Sequence, residues 1–176
     1  KSAGDIPVCL KLPPFFSALP HFVARAAAAG AAGVALFNRF YQPDIDLATL
    51  RVEHRTQLST SADALLSMRW IAILRGGTEL TLAATGGVHT AGDALKMLLA
   101  GADVVHMASA LLLRGPDALR ETLAGIERWL EEGEYASVAQ MKGSLSQRHA
   151  PDPAAYARAA YLDVLDSFAP PPGVRY

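Results

Sequence analysis

The chain has 176 residues, 51% of them hydrophobic, enough for one domain with a real core, and a formal charge of −1 with no Lys/Arg cluster to suggest nucleic acid. Its single cysteine, Cys9, excludes an internal disulfide framework and leaves no Cys pair for zinc or an iron–sulfur cluster. Apolar stretches are broken by Arg25, Lys96 and Arg114, and Lys1-Ser2-Ala3-Gly4-Asp5 leads into a strand without a secretory signal, so a soluble cytoplasmic protein with no membrane partner is expected.

Residues 7–12 are a short, mostly apolar run ended by Pro13-Pro14, a buried strand by pattern. A helix follows, with Ser17 as its cap, Pro20 in its first turn, and Leu19, Phe22, Val23, Ala26 and Ala27 on one face; Gly30 stops it. Residues 33–38 form the next strand. Residues 39–55 read as a long loop with a small hairpin around Leu50-Arg51-Val52, residues 56–60 as a degenerate strand, and residues 62–74 as a helix.

The next units are clearer. Residues 80–84 are a strand, and Thr90 with Asp93 caps a helix whose stripe is Ala94, Leu95, Leu98 and Leu99, ending at Gly101. Residues 103–108 are the last strand. Gly115-Pro116 opens a long helix with Leu119, Leu123, Ile126 and Leu130 on one face and Gly133 at its end. A helical segment from about Ser137, an Ala-rich stretch over 153–165 and a frayed Pro170-Pro171-Pro172 end complete the chain. Residues 1–135 are thus expected as the main body and 136–176 as a helical segment and tail.

Strand–helix alternation means a parallel sheet with right-handed crossovers. Five strands, counting the degenerate one, are too few for a closed eight-stranded barrel, and an open doubly wound sheet is the alternative. Two loops favour the barrel. In Ala84-Thr85-Gly86-Gly87-Val88 and Met107-Ala108-Ser109-Ala110-Leu111, an apolar run ends in small residues that open onto a helix. Gly86 and Gly87 carry no Cβ, so main-chain N–H groups can reach an anion, and the helix start adds a favourable dipole. Phosphates sit on such loops after the last two strands of parallel barrels, although ordinary strand-to-helix turns look the same. The expected fold is α/β, the C-terminal portion of a TIM-type (β/α) barrel that needs an upstream half.

Four features in order, Pro7-Val8-Cys9-Leu10-Lys11-Leu12-Pro13-Pro14, Asn38, Ala84-Thr85-Gly86-Gly87-Val88 and Met107-Ala108-Ser109-Ala110-Leu111, resemble the C-terminal half of the dihydroorotate dehydrogenase family. These are FMN-binding α/β barrels that include the flavin domain of dihydropyrimidine dehydrogenases. The resemblance runs from about residue 6 to residue 130. It implies an FMN-dependent oxidoreductase of pyrimidine metabolism, oxidising dihydroorotate or a related dihydropyrimidine. It also implies a homodimer and a catalytic base on the upstream half. Lys11 would favour the reduced flavin, and Asn38 would orient substrate or flavin. Gly86, Gly87, Ala108 and Ser109 would hold the phosphate, with Ala108-Ser109 where the family more often has Gly-Thr.

Each residue also has a plainer reading. Lys11 can be an edge-strand lysine reaching water, Asn38 a turn residue, and Thr60 either a flavin contact or a helix N-cap. Cys9 is expected as a packed, inert thiol, and His89 and His106 as structural. Arg39 with Asp44 and Asp46 forms a lid, a dimer contact or a solvated loop. Arg39-Phe40-Tyr41-Gln42-Pro43-Asp44 replaces the short polar run of orotate-specific members, so the substrate stays open. The rival functions are a non-catalytic half-barrel assembly module and a flavin-free phosphate-binding isomerase or lyase.

Overall fold

The structure, a computed structural model, describes residues 5–157, 160–167 and 169. Four parallel strands form its sheet in the order β1 (Cys9–Leu12), β2 (Gly33–Leu36), β5 (Thr81–Thr85) and β6 (Val104–His106). Helices α1 (Leu19–Ala28), α2 (Ala64–Leu74) and α3 (Ala91–Ala100) connect them, and β3 (Asp44–Asp46) with β4 (Arg51–Glu53) makes a separate antiparallel hairpin. Then come α4 (Ser109–Arg114), α5 (Asp117–Glu132), α6 (Val138–Met141) and α7 (Tyr161–Asp166). This is the expected α/β part of a TIM-type barrel, with one strand fewer. Residues 56–60 join no ladder: Leu58 is the one apolar side chain among them, and the Ser59 N–H donates to the Ser109 hydroxyl instead.

Register decides which residues meet. Lys11, Ala35 and Ala83 are in line across three strands, as are Leu12, Leu36 and Ala84, and alternation sends these two rows to opposite faces. One face carries Leu12, Val34, Leu36, Leu82 and Ala84 into a core with Leu19, Val23, Ile71 and Met97 of the helices. The other carries Ala35 and Ala83 at its centre and exposed Cys9, Lys11, Thr81, Val104 and His106 around them. A parallel sheet is normally covered on both faces. Two expectations fail on this open face: Cys9 is exposed rather than packed, and His106, expected within a buried strand, is exposed at the end of β6.

Three local expectations also shift. The N-cap of α1 is Ala18, not Ser17, with no side-chain capping bond. A cap at Ser17 would place Pro20, which has no N–H, where a donor is needed. Phe22 is partly exposed and packs on Phe16 with ring centroids 4.7 Å apart. On α5 the buried residues are Ala118 and Thr122, while Leu119 and Leu123 face outward. The cause is close helix packing: a Cβ built on Gly125 would stand 2.5 Å from the Ala91 Cβ of α3. The 170–172 end lies outside the described residues.

Below the strand starts, Asp103 gathers the structure. Its carboxylate accepts Arg75 at 2.8 and 3.1 Å, Lys142 at 2.7 Å and the Leu82 N–H at 2.9 Å. Arg75 reaches it past Gly101, where a Cβ would be 2.5 Å from the arginine stem. The segment after α6 closes the same end, with Gly143 and Leu145 donating N–H groups to the Leu98 and Leu99 carbonyls at the end of α3. Burial alone would raise the Asp103 pKa, but the Arg75, Lys142 and Leu82 donors outweigh it and hold it at about 2.

Because that value is below the ordinary 3.8, the stabilisation is complete above about pH 4 and fades as pH falls toward 2. Asp103→Asn is expected to lose about 2 kcal/mol at pH 7 and little near pH 2, read by urea unfolding at both pH values. Equal loss at both would show that shape, not charge, holds this end together.

A second prediction concerns the β5–α3 loop. A Cβ on Gly87 would fall 2.1 Å from the backbone N of Ala64, whereas one on Gly86 meets nothing within 4 Å; both residues have positive φ. Gly87→Ala should therefore cost about 3 kcal/mol or more, and Gly86→Ala only the left-handed backbone penalty of about 1 kcal/mol. Urea midpoints that fall in the opposite order would contradict the packing.

Candidate functional site

The carboxyl ends of the parallel strands open onto a cavity of about 190 Å³. Lys11 of β1, Asn38 after β2, Gly86 and Gly87 after β5, and Ala108 and Ser109 after β6 all line it. Residues up to about 100 positions apart in sequence meet here because parallel strands deliver their ends to the same side. Thr60 is not among them. Its N–H and hydroxyl donate to Asp63 at 2.7 and 3.1 Å, which makes it the cap of the short turn leading into α2.

Each position has a local cause. The Asn38 N–H donates to the Leu12 carbonyl at 2.7 Å and the Phe37 N–H to the Thr85 carbonyl at 3.3 Å, so the ladder pins the chain just past β2. Gly87 is buried because its bare Cα presses on the first residue of α2, while Gly86 turns its open side to the cavity. Among the described residues no protein acceptor takes the Gly86 or Gly87 N–H. The Ser109 hydroxyl accepts the Ser59 N–H at 3.1 Å and keeps its own proton to donate.

The expected dipole contribution from α3 does not reach the cavity. Its start is already occupied by Asp93, whose Oδ2 accepts the N–H groups of His89 and Thr90 and the hydroxyls of Ser61 and Thr90. Burial raises the Asp93 pKa, but these donors, the Ser61 hydroxyl foremost, bring it below its ordinary value. The helix thus supplies its own anion. His89 bonds Ser59 at 3.2 Å and gives its carbonyl to Arg114, joining the two loops without lining the cavity.

Several lining residues escape the sequence. Ser59, buried and bonded to both Ser109 and His89, lines this cavity and an adjoining one of about 290 Å³. Only its place in front of a Thr60-x-x-Asp63 cap could have signalled it. Thr85 and His106 follow from register, two residues beyond the Ala83↔Val104 pair and on the same face. Arg39 is not paired with Asp44 or Asp46; it lines the cavity, whereas Asp46 is occupied by the Ala48 N–H and the Thr49 hydroxyl. Two cations, Lys11 and Arg39, and no carboxylate line the cavity, so the arrangement suits an anion held by backbone N–H, hydroxyl and positive charge.

The family profile for dihydroorotate dehydrogenase matches residues 1–130. The catalytic subunit of dihydroorotate dehydrogenase B (NAD(+)) from Pyrococcus abyssi is 32% identical over 146 residues, covering 81% of this chain and 49% of that protein. Dihydroorotate dehydrogenase A (fumarate) from Lactiplantibacillus plantarum is 34% identical over 134 residues, covering 74% of this chain and 44% of that protein. The crystal structure of DHODH from Eimeria tenella in complex with ferulenol superposes with a TM-score of 0.64 at 22% identity, covering 82% of this chain and 40% of that one. At that identity the likeness speaks for the fold alone. The chain spans about half the length of the curated relatives it matches, and over that span it belongs to the dihydroorotate dehydrogenase family.

Proposed function

We propose that this chain is the cofactor-holding part of an FMN-dependent oxidoreductase that acts on dihydroorotate or a related dihydropyrimidine. The supporting observation is the single cavity lined by Lys11, Asn38, Gly86, Gly87, Ala108 and Ser109, with two cations and no acid. Those residues fit FMN: free Gly86 and Gly87 N–H groups and the Ser109 hydroxyl match a phosphate, and open space at Gly86 leaves room for it. FMN, when bound, supplies hydride acceptance. Lys11 contributes a fixed positive charge toward the group that gains electrons, and Asn38 offers donor and acceptor to a flat, amide-rich partner.

The sheet's open face, with Lys11 and His106 on it, is the face that an upstream barrel half would cover, and that half would bring the catalytic base. Ser59 holds the β6 loop in place through Ser109, and Thr60 enters this reading only as the cap of that segment. A homodimer in the cytoplasm completes the proposal.

The test is made on the complete protein. It should carry a flavin absorbance band, and Lys11→Met should keep FMN while lowering its reduction potential by about 30 mV, equal to about 1.4 kcal/mol for two electrons. A colourless protein that takes up no added FMN would refute the cofactor. An unchanged potential would remove Lys11 from the electronic role.

A further inference from the structure

Arg39 lines three adjoining cavities: the inner one with Lys11, the middle one, and an outer one of about 390 Å³ beside the β3–β4 hairpin. The outer cavity holds a second guanidinium, Arg55, and the side-chain amides of Gln42 and Gln57, and no Asp or Glu lines it. That is a local excess of positive charge in a chain whose net charge is −1.

The two arginines differ. Arg55 pairs with Glu53 at 3.0 Å, whereas Arg39 has no carboxylate within 4.0 Å among the described residues. Asp63 is the acid that feels the Arg39 charge, but its Oδ2 is taken by the Thr60 N–H and hydroxyl, the Thr60 N–H being the main reason its pKa lies below the ordinary value. Arg39 therefore presents its donor fork to the cavities rather than to a partner.

The walls are flat and braced. Phe40 meets Phe15 edge to face, with centroids 5.2 Å apart. The Tyr41 ring stacks on His54 with 12° between planes, and the Tyr41 hydroxyl bonds His54 Nδ1 at 2.5 Å. These pairs tie the segment after β2 to the β1–α1 loop on one side and to the β4 exit on the other. Arg39 immediately precedes these two braced residues, so the backbone that carries it is held on both sides.

We propose that the outer cavity is an anion subsite in which Arg39 binds, through its guanidinium fork, a carboxylate carried by a planar small molecule. The molecule lies against Phe40, with Gln42 and Gln57 completing the polar rim. That this molecule is also the substrate at the inner cavity rests on the flavin-dependent reading; the capture of a planar carboxylate by Arg39 does not. The subsite is separate from Lys11, which does not line it.

The complete protein is titrated with benzoate and with benzamide, its neutral counterpart, by ligand-observed NMR, with FMN content measured on the same samples. Benzoate should bind about tenfold more tightly than benzamide, and Arg39→Gln should abolish that preference, as expected for one charge-assisted pair. Lys11→Met should leave the preference in place. No preference in the parent, a preference kept in Arg39→Gln, or one lost in Lys11→Met would each overturn the subsite. A colourless protein that takes up no added FMN but keeps the Arg39-dependent preference would refute the flavin reading and leave the subsite standing.

Discussion

The register of four parallel strands is the constraint on which the rest depends. Lys11 lines the cavity because it pairs with Ala35 and not with Val34; a slip of one residue would send its charge into the helix-covered core and bring Leu10 or Leu12 out. Apolar alternation fixes that choice. Leu10, Leu12, Val34, Leu36, Leu82 and Ala84 share one buried face in the observed alignment, and that alternation places Lys11, Thr85 and His106 on the other face. The chemistry of the site is thus a by-product of how the core is packed.

Two close contacts transmit that register to the loops. Gly87 against Ala64 fixes where the β5 loop leaves the sheet, and α2 in turn is tied to β2 by the Ser67 hydroxyl donating to the Leu36 carbonyl at 2.6 Å. At the far end Asp103 binds the C-terminus of α2 through Arg75, the start of β5 through Leu82, and the later chain through Lys142. Cavity and charge network sit at opposite ends of the same strands. The sheet carries stability at one end and recognition at the other, the division usual for parallel barrels.

What the sequence made legible follows the same division. The strands with continuous apolar runs, the Thr90–Asp93 cap and the two small-residue loops were all readable, because each depends on neighbours within a few positions. Contacts set by distant partners were not. The roles of Leu119 and Leu123 were inverted because Gly125 draws α5 onto Ala91, and periodicity carries no record of how close two helices come. Gly86 and Gly87 look alike in sequence, yet one faces open space and the other a backbone. Ser59 and Arg39 lie in a stretch with no period, and only the fold shows that they belong to the site.

The charge of the site has a similar origin. Nothing in the composition marks this end of the molecule as positive, since acidic and basic residues nearly balance. The imbalance arises because the nearby acids have other partners: Asp63 binds Thr60, Asp93 closes the start of α3, and Asp46 binds its own turn. Each of these short side chains satisfies N–H groups that would otherwise be left without acceptors, so folding itself commits them. Lys11 and Arg39, with longer side chains and no such local partner, remain to face the cavities. Capping the helices and turning the hairpin therefore leave Lys11 and Arg39 as the charged side chains that line the inner cavity, without any cluster of basic residues in the sequence.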